Sequence, residues 1–295
     1  MKLVRFGPAG DERPGIWMEP PDAAPQILDV RATAYDLYDY DAHFFAHGGL
    51  LRLKGLLAES RKKLVPAQGV RLGPPIARPG KILCLGKNYA EHAREFGSGV
   101  PDSPVIFAKA PSAVIGPFDP IRIPPRSRVV DGEAELAFVV GRRAKFLAAA
   151  NAMECIAGYL VLNDVTDREA QKAGQQWFFG KGFDTFCPIG PFLATPDEIP
   201  NPHRLRVFSR LDGEPLQDGT TADMVFKIPE ILVHITSGIT LEPGDLVATG
   251  TPSGIGSART PPRLLRPGCV LETGVEGLGV QRNSVEKKDG EGEPG

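Results

Sequence analysis

Short apolar runs separated by glycine- and proline-rich turns dominate the hydrophobic pattern of the chain. Five runs have the length and the β-favouring composition of strands: 81–86, 104–109, 136–140, 155–162 and 205–211. The dipeptide Asp212-Gly213 follows the last run and is a strong hairpin-turn signal. The pattern therefore predicts a mainly β chain.

One stretch has helical spacing instead of strand spacing. Its apolar residues recur at i, i+3, i+4 and i+7: Ile228, Ile231, Leu232 and Ile235. Pro229 near its start and Gly238 at its end are the residues expected at helix boundaries. We expect a core-facing helix here, which makes the fold class α+β with few helices.

Composition divides the chain into unequal parts. Residues 1–75 contain only short strand signals and predict a small N-terminal domain. The proline-rich stretch 66–79 predicts a linker into a main domain at 80–285. Residues 286–295 are charged and glycine-rich, so we expect a disordered tail.

Charge and cysteine content exclude several classes of protein. A net charge of −2 and a pI near 6.2 do not fit a nucleic-acid-binding surface. No apolar run approaches the 18 residues of a membrane span, and the N-terminus lacks the apolar segment of a signal peptide. The four cysteines are widely spaced, which favours reduced thiols in a cytoplasmic protein.

Two glutamates precede the apolar run 136–140 and are the first candidates for chemistry. Alternate side chains of a strand share a face, so Glu133 and Glu135 point the same way, about 7 Å apart along the backbone. An isolated Glu-x-Glu is more often a solvated strand end. Two adjacent carboxylates repel each other, however, and a divalent cation between them removes that repulsion.

A third carboxylate, Asp164, follows the apolar run 155–162. An unpaired charge at the end of a buried strand is costly. Three carboxylates with no histidine or cysteine beside them favour a hard cation, Mg²⁺ or Mn²⁺, with Ca²⁺ as a further candidate. Glu133, Glu135 and Asp164 are therefore the predicted metal ligands.

Helix-forming residues at 90–96 place His92 and Glu95 three positions apart, where one carboxylate can orient one imidazole. Such a pair on a surface helix usually has no function, but beside a metal site it is a candidate general base. The helix has little apolar surface and is followed by Gly97-Ser98-Gly99. We therefore expect it to form a mobile lid.

Four further candidate residues lie later in the chain. Arg168 and Gln171 are three apart on a short helix, for which Thr166 is the expected N-cap, and could meet a substrate carboxylate. A surface Arg paired with a neighbouring acid is equally compatible with that spacing. Lys181 stands among aromatic residues, where it either extends to solvent or faces an anion. The glycine-rich loop 249–256 lacks a phosphate-binding motif, but its N–H groups and Thr251 could hold a carboxylate.

Five of these segments, taken in order, resemble the fumarylacetoacetate hydrolase family. The matching motifs are Gly-x-Asn-Tyr-x-x-His-x-x-Glu (86–95), Glu-x-Glu-Leu (133–136), Asn-Asp-Val-Thr (163–166), Gly-Lys-x-Phe-Asp-Thr-Phe (180–186) and Thr-Gly-Thr-Pro-x-Gly-x-Gly (249–256). The N-terminal segment resembles the bacterial branch described as ureidoglycolate lyases or diketo-deoxy-sugar-acid hydrolases. The resemblance covers about residues 80–285.

The resemblance implies a fold and a set of roles. The fold is a mixed β-sandwich roll, usually in a homodimer. The metal carboxylates correspond to Glu133, Glu135 and Asp164, and the catalytic residues are His92, Glu95 and Lys181. Arg168, Gln171 and Thr251 would bind substrate. The animal enzymes have an additional aspartate ligand where this chain has Leu85, which makes fumarylacetoacetate itself a doubtful substrate.

The expected reaction is metal-dependent hydrolysis of a C–C bond in a 2,4-dioxo acid, giving pyruvate and a carboxylic acid. An alternative is decarboxylation of a 2-oxo diacid such as oxaloacetate, or isomerisation of a hydroxymuconate-type diacid such as 2-hydroxyhepta-2,4-diene-1,7-dioate. Ureidoglycolate cleavage carries less weight. A non-catalytic carboxylate-binding protein would be favoured if a ligand or His92 were missing, and none is. The expected partner is a small 2-oxo or 2,4-dioxo acid.

Overall fold

The computed structural model describes residues 1–95, 97 and 99–288. The N-terminal part of the chain contributes five strands and three short helices. The strands are β1 (Lys2–Phe6), β2 (Arg13–Met18), β3 (Gln26–Asp29), β4 (Leu64–Pro66) and β5 (Leu72–Gly73). The helices are α1 (Val30–Thr33), α2 (Ala42–Ala46) and α3 (Gly49–Ala58).

The remainder is built mainly of strands. They are β6 (Ile82–Gly86), β7 (Val105–Lys109), β8 (Val114–Ile115), β9 (Ile121–Ile123), β10 (Val130–Asp131), β11 (Ala134–Val140), β12 (Ile156–Asn163), β13 (Thr166–Asp167), β14 (Cys187–Pro188), β15 (Leu193–Ala194), β16 (Arg206–Leu211), β17 (Glu214–Thr220), β18 (Leu246–Ala248), β19 (Val270–Val275) and β20 (Gly279–Lys287). The helices are α4 (Ala90–Glu95), α5 (Arg168–Ala173), α6 (Phe178–Lys181) and α7 (Ile228–Gly238), with short 3₁₀ turns at Pro111–Ala113, Ala149–Cys155, Thr221–Asp223 and Gly256–Ala258. The α+β, mainly β class is confirmed.

Two sheets contain most of these strands, and β10-β13 and β14-β8 form separate two-stranded sheets. The larger has the order β4-β3-β2-β1-β15-β12-β11-β18-β6-β7, with β5 on β1, and the smaller has the order β17-β16-β19-β20-β9. At the centre of the larger sheet, every residue of β11 and β12 is buried, as expected for apolar strands covered on both faces. The hairpin at Asp212-Gly213 and the buried stripe of α7 are confirmed as well.

Residues 1–75 join the larger sheet edge to edge. Strand β1 pairs with β15 through Lys2↔Ala194 and Leu3↔Leu193. Leu3 also belongs to the same apolar core cluster as Leu246 of the main part. The division into domains at residue 75 remains a prediction.

Two local expectations are wrong. Helix α5 begins at Arg168 and is capped by Asp167, whose side chain accepts hydrogen bonds from Glu169 N and Ala170 N, each at 3.0 Å. The hydroxyl of Thr166 donates instead to Asp164 O at 3.0 Å. The tail does not begin at residue 286, because β20 continues to Lys287 by parallel pairing with β9. Residues 289–295 lie outside the described part.

Within the described residues, every helix is too short or too polar to traverse a lipid bilayer.

Candidate metal centre and active site

The strand pairing of β11 with β12 brings the three predicted ligands together. Ala134 lies opposite Asn163, and the backbone N–H of Asp164 donates to Glu133 O at 2.9 Å. Glu133, Glu135 and Asp164 are all buried, and each offers a carboxylate oxygen within 4.8 Å of the others. Their proximity follows from β geometry, because Glu133 and Glu135 lie on one face and Asp164 follows the neighbouring strand.

Each carboxylate has one oxygen held by the surrounding protein. Arg168 Nη2 donates to Glu133 Oε1 at 2.5 Å, and Lys109 Nζ donates to Asp164 Oδ1 at 2.6 Å. Gly250 N donates to Glu135 Oε2 at 2.7 Å. These contacts fix the orientation of all three groups.

Lys181, at the end of α6, contacts the remaining oxygens of two of them. Its Nζ lies 2.7 Å from Glu133 Oε2 and 2.6 Å from Asp164 Oδ2, and its side chain is buried. The aromatic ring beneath the ammonium is that of Phe107, with the centroid at 5.0 Å. The sequence neighbours Phe178 and Phe179 are instead exposed. Of the two sequence interpretations, the structure therefore supports a lysine that faces anions.

Counted with Asp131, which pairs with Arg168, the cluster has four carboxylates against three cationic side chains, those of Lys109, Arg168 and Lys181. Burial opposes the charged form of Glu133, but Lys181 and Arg168 hold its pKa well below its usual range. Burial and the charges of Asp164 and Glu133 raise the pKa of Glu135 well above its usual range. Among the described residues no salt bridge reaches Glu135, so the charge of its ionised form is unmatched.

The donor set fits a divalent cation. Buried carboxylate oxygens are the ligands of hard cations, and an unmatched carboxylate beside two others is stabilised when such a cation binds. Glu133, Glu135 and Asp164 would hold it.

The histidine–glutamate pair forms on α4 as the spacing predicts. His92 is buried, and its Nδ1 lies 3.0 Å from Glu95 Oε2. The other oxygen of Glu95, Oε1, accepts a hydrogen bond from Gly254 N at 2.6 Å, and Glu91 accepts one from Ser253 Oγ at 3.2 Å. The helix is thus fastened to the glycine-rich loop in this structure, and its opening as a lid remains a prediction.

Arg168 and Gln171 lie together beside the cluster. Arg168 Nη1 donates to Gln171 Oε1 at 3.2 Å, and its Nε donates to Asp131 Oδ1 at 2.7 Å. Burial lowers the pKa of Arg168, but Asp131 and Glu133 outweigh it and raise that pKa overall. The guanidinium therefore orients Glu133, and its contact with substrate remains a prediction.

The hydroxyl of Thr251 fastens the glycine-rich loop to β11. It donates to Ala134 O at 2.8 Å and accepts from Gln217 Nε2 at 2.7 Å. The loop is thereby placed so that Gly250 N reaches Glu135. With its proton committed to Ala134, the Thr251 side chain acts here as an acceptor, and its contact with a substrate carboxylate remains a prediction.

A cavity of about 300 Å³ opens onto these residues. Seven of the nine predicted site residues line it: His92, Glu133, Glu135, Arg168, Gln171, Lys181 and Thr251. The other two do not line the cavity, but each hydrogen-bonds a residue that does: Glu95 bonds His92, and Asp164 bonds Lys181. The other lining residues are Leu85, Gly86, Lys87, Phe107, Lys172, Gly174 and Trp177. The size is sufficient for a small organic acid.

The family model for the fumarylacetoacetate (FAA) hydrolase C-terminal domain matches residues 81–286. The chain belongs to the fumarylacetoacetate hydrolase family. The family is one of enzymes, and the resemblance of the five motifs is confirmed.

Named relatives within the fumarylacetoacetate hydrolase family have different activities. A mitochondrial oxaloacetate tautomerase of Bos taurus is 39% identical over 288 residues, which are 97% of this chain and 91% of that protein. The fumarylacetoacetate hydrolase of Exiguobacterium antarcticum has a TM-score of 0.81 at 35% identity, covering 98% of this chain and 100% of that one. Maleylpyruvate hydrolase of Sphingobium sp. SYK-6 has a TM-score of 0.79 at 28% identity, with the same coverage.

Two charged residues of this site, Lys109 and Asp131, were not predicted from the sequence. Both are buried, and each pairs with a residue of the predicted set, Asp164 and Arg168 respectively. The available signal was a single charge at the end of an apolar strand, since Lys109 ends Val105–Lys109 and Asp131 ends β10. A buried terminal charge of this kind requires a partner.

Proposed function

We propose that this protein is a divalent-metal-dependent hydrolase that cleaves a C–C bond of an acylpyruvate-type 2,4-dioxo acid. The products would be pyruvate and a carboxylic acid. The observation that carries the proposal is that one cavity is lined by two of the three clustered carboxylates, by Lys181 and by His92 of the His92–Glu95 pair. The family assignment supports the enzyme class.

Glu133, Glu135 and Asp164 would hold Mg²⁺ or Mn²⁺, with Ca²⁺ as a further candidate. When bound, such a cation supplies Lewis acidity toward the carboxylate and carbonyl oxygens of the substrate. Four cationic side chains line the same cavity and make it favourable for an anionic substrate: Lys87, Arg168, Lys172 and Lys181.

His92 is the proposed general base. Its hydrogen bond to Glu95 fixes the ring and supports the positive charge that forms when Nε2 takes a proton from water. The oxygen of that water bonds to C4 of the substrate, and the C3–C4 bond breaks with its electron pair on the pyruvate fragment. The proton held by His92 returns to C3.

Lys181 is the proposed electrostatic stabiliser. Burial lowers its pKa, but Asp164 and Glu133 outweigh burial and raise that pKa overall, so the amine stays charged. An ammonium held in a buried position stabilises negative charge that develops on a substrate oxygen.

A second candidate function is isomerisation or decarboxylation of a 2-oxo diacid, and the oxaloacetate tautomerase relative favours it. This chemistry uses the same cation site and Lys181 but requires no attacking water. Ureidoglycolate cleavage carries less weight. Non-catalytic binding of carboxylates also carries less weight, because all three proposed ligands and the His92–Glu95 pair are present.

A substrate panel separates these functions. Acylpyruvates and oxaloacetate are incubated with the protein and Mn²⁺, and release of pyruvate, carboxylic acid and CO₂ is measured together with the enol absorbance of oxaloacetate. Hydrolysis predicts equimolar pyruvate and acid from an acylpyruvate. Tautomerisation alone, with no acid released, would replace the first proposal by the second.

A homodimer in the cytoplasm is the proposed working state.

A further inference from the structure

Lys109 is a fully buried lysine that the proposed reaction does not use. It ends β7, and none of its side chain is exposed. Its Nζ donates to Asp164 Oδ1 at 2.6 Å, to Val165 O at 3.2 Å and to the carbonyl oxygen of Lys181. An ammonium has three donors, so all of them are used.

These three contacts join a proposed metal ligand to the proposed stabilising lysine. With Oδ1 held by Lys109, the other oxygen of Asp164, Oδ2, faces Lys181 Nζ at 2.6 Å. The same Lys109 amine holds the backbone of Lys181 through its carbonyl oxygen. One side chain thus sets the rotation of the Asp164 carboxylate and the point from which the Lys181 side chain extends.

Lys109 is absent from the residues that line the cavity, so it acts behind the site and not on substrate. A buried ammonium is unfavourable unless it is paired and fully hydrogen-bonded, a condition that this position meets. Groups that orient metal ligands from behind determine metal affinity as well as stability.

We propose that Lys109 is a positioning residue, which orients Asp164 for cation binding and fixes the backbone of Lys181. The inference rests on the proposed metal-dependent function. Its specific content is that loss of Lys109 weakens cation binding by the folded protein, beyond any loss of stability.

The chain offers a matched control. Lys81 Nζ lies 2.6 Å from Asp245 Oδ2, and Asp245 is as buried as Asp164. Neither residue lines the cavity. Replacing Lys81 also removes a lysine partner from a buried aspartate, but at a place where no cation is proposed to bind.

The test is Mn²⁺ binding by isothermal titration calorimetry on wild type, Lys109→Met and Lys81→Met. Circular dichroism first establishes that each protein is folded. We expect the Kd for Mn²⁺ to rise about 10- to 100-fold in Lys109→Met. The Lys81→Met protein should retain the wild-type Kd, even where its Tm is lower.

A wild-type Kd in folded Lys109→Met overturns the inference, and so does an equal rise in Lys81→Met. Should Lys109→Met fail to fold, Lys109→Arg decides, because it keeps the charge but cannot place three donors on one atom. A Kd for Mn²⁺ that is several-fold higher in Lys109→Arg than in wild type supports the inference, and an unchanged Kd in that variant overturns it. Absence of Mn²⁺ binding in wild type would overturn the metal-dependent function itself, which is a distinguishable result.

Discussion

Replacement of Glu135 by Gln tests the unmatched charge of the cluster. Glu135 offers an oxygen within 4.8 Å of oxygens of Glu133 and Asp164. At that separation and an effective dielectric constant of about 20, each repulsion costs about 3.5 kcal/mol. The two repulsions together cost about 7 kcal/mol, and attraction to Lys181 offsets about half of that. We therefore expect a net gain on the order of 3 kcal/mol for metal-free Glu135→Gln.

The gain converts to a measurable shift in Tm. A chain of 295 residues has an unfolding entropy of about 0.6 kcal/mol/K, so about 3 kcal/mol raises Tm by about 5 °C at pH 7.5. Mn²⁺ at about 100 times its Kd should stabilise wild type by about 2.7 kcal/mol, or about 4 °C. The same addition should leave Glu135→Gln nearly unchanged, because an amide is a weaker ligand than a carboxylate.

The effect should depend on pH in one direction. Burial next to Asp164 and Glu133 raises the folded-state pKa of Glu135. Metal-free wild type therefore loses stability as pH rises from the ordinary carboxylate range toward that raised pKa. Below that range Glu135 is protonated in both folded and unfolded states, so the Tm difference between wild type and variant should vanish.

Differential scanning calorimetry is run on protein from which bound metal has been removed by a chelator, with and without added Mn²⁺. It measures the Tm shift caused by the substitution at each pH and the Tm response to Mn²⁺. Glu154→Gln is the control, since Glu154 pairs with Arg142 on the surface with 63% of its side chain exposed. It should change neither Tm nor the response to Mn²⁺. A lower Tm for metal-free Glu135→Gln at pH 7.5, or an undiminished response to Mn²⁺, would refute the reasoning.

Three further substitutions have distinct expected outcomes. His92→Ala should lower kcat for acylpyruvate hydrolysis by about 10²- to 10⁴-fold while calorimetric Mn²⁺ affinity stays near wild type; lost affinity would contradict its role as base. Lys181→Met should lower kcat by about 10²- to 10³-fold in steady-state assays. It should not weaken Mn²⁺ binding, because the lysine occupies oxygens of the proposed ligands Glu133 and Asp164. An unchanged kcat would count against the role of Lys181 as electrostatic stabiliser. Gly86→Ala would place a methyl group against Trp177 in the cavity wall. We therefore expect kcat/KM to fall at least about tenfold while the Kd for Mn²⁺ stays unchanged. A wild-type kcat/KM would contradict this expectation and show that the wall adjusts to the methyl group.

Much of the site could be predicted because its information is local. The period of two in a strand puts Glu133 and Glu135 on one face, and the helical spacing of three pairs His92 with Glu95 and Arg168 with Gln171. The stripe of α7 is likewise a property of neighbouring residues, and all four of its apolar positions are buried.

The rest depends on contacts between distant segments. Nothing near Lys109 in sequence indicates that its partner is Asp164, 55 residues later. No local signal in the sequence indicates the parallel pairing of β6 with β18, which helps to place Gly250. The same is true of the pairing of β1 with β15, which places the N-terminal strands. The cap of α5 was misplaced because Thr166 and Asp167 are both good caps, and β13 extends through Asp167, so the helix begins only at Arg168.

The central claim is that Glu133, Glu135 and Asp164 hold one divalent cation. Anomalous scattering from a crystal grown with Mn²⁺ and oxalate, a mimic of the pyruvate enolate, tests it most directly. We expect one strong anomalous peak among the three carboxylates, with oxalate beside it and within reach of Lys181. Well-ordered carboxylates at saturating Mn²⁺ with no peak among them would contradict the claim.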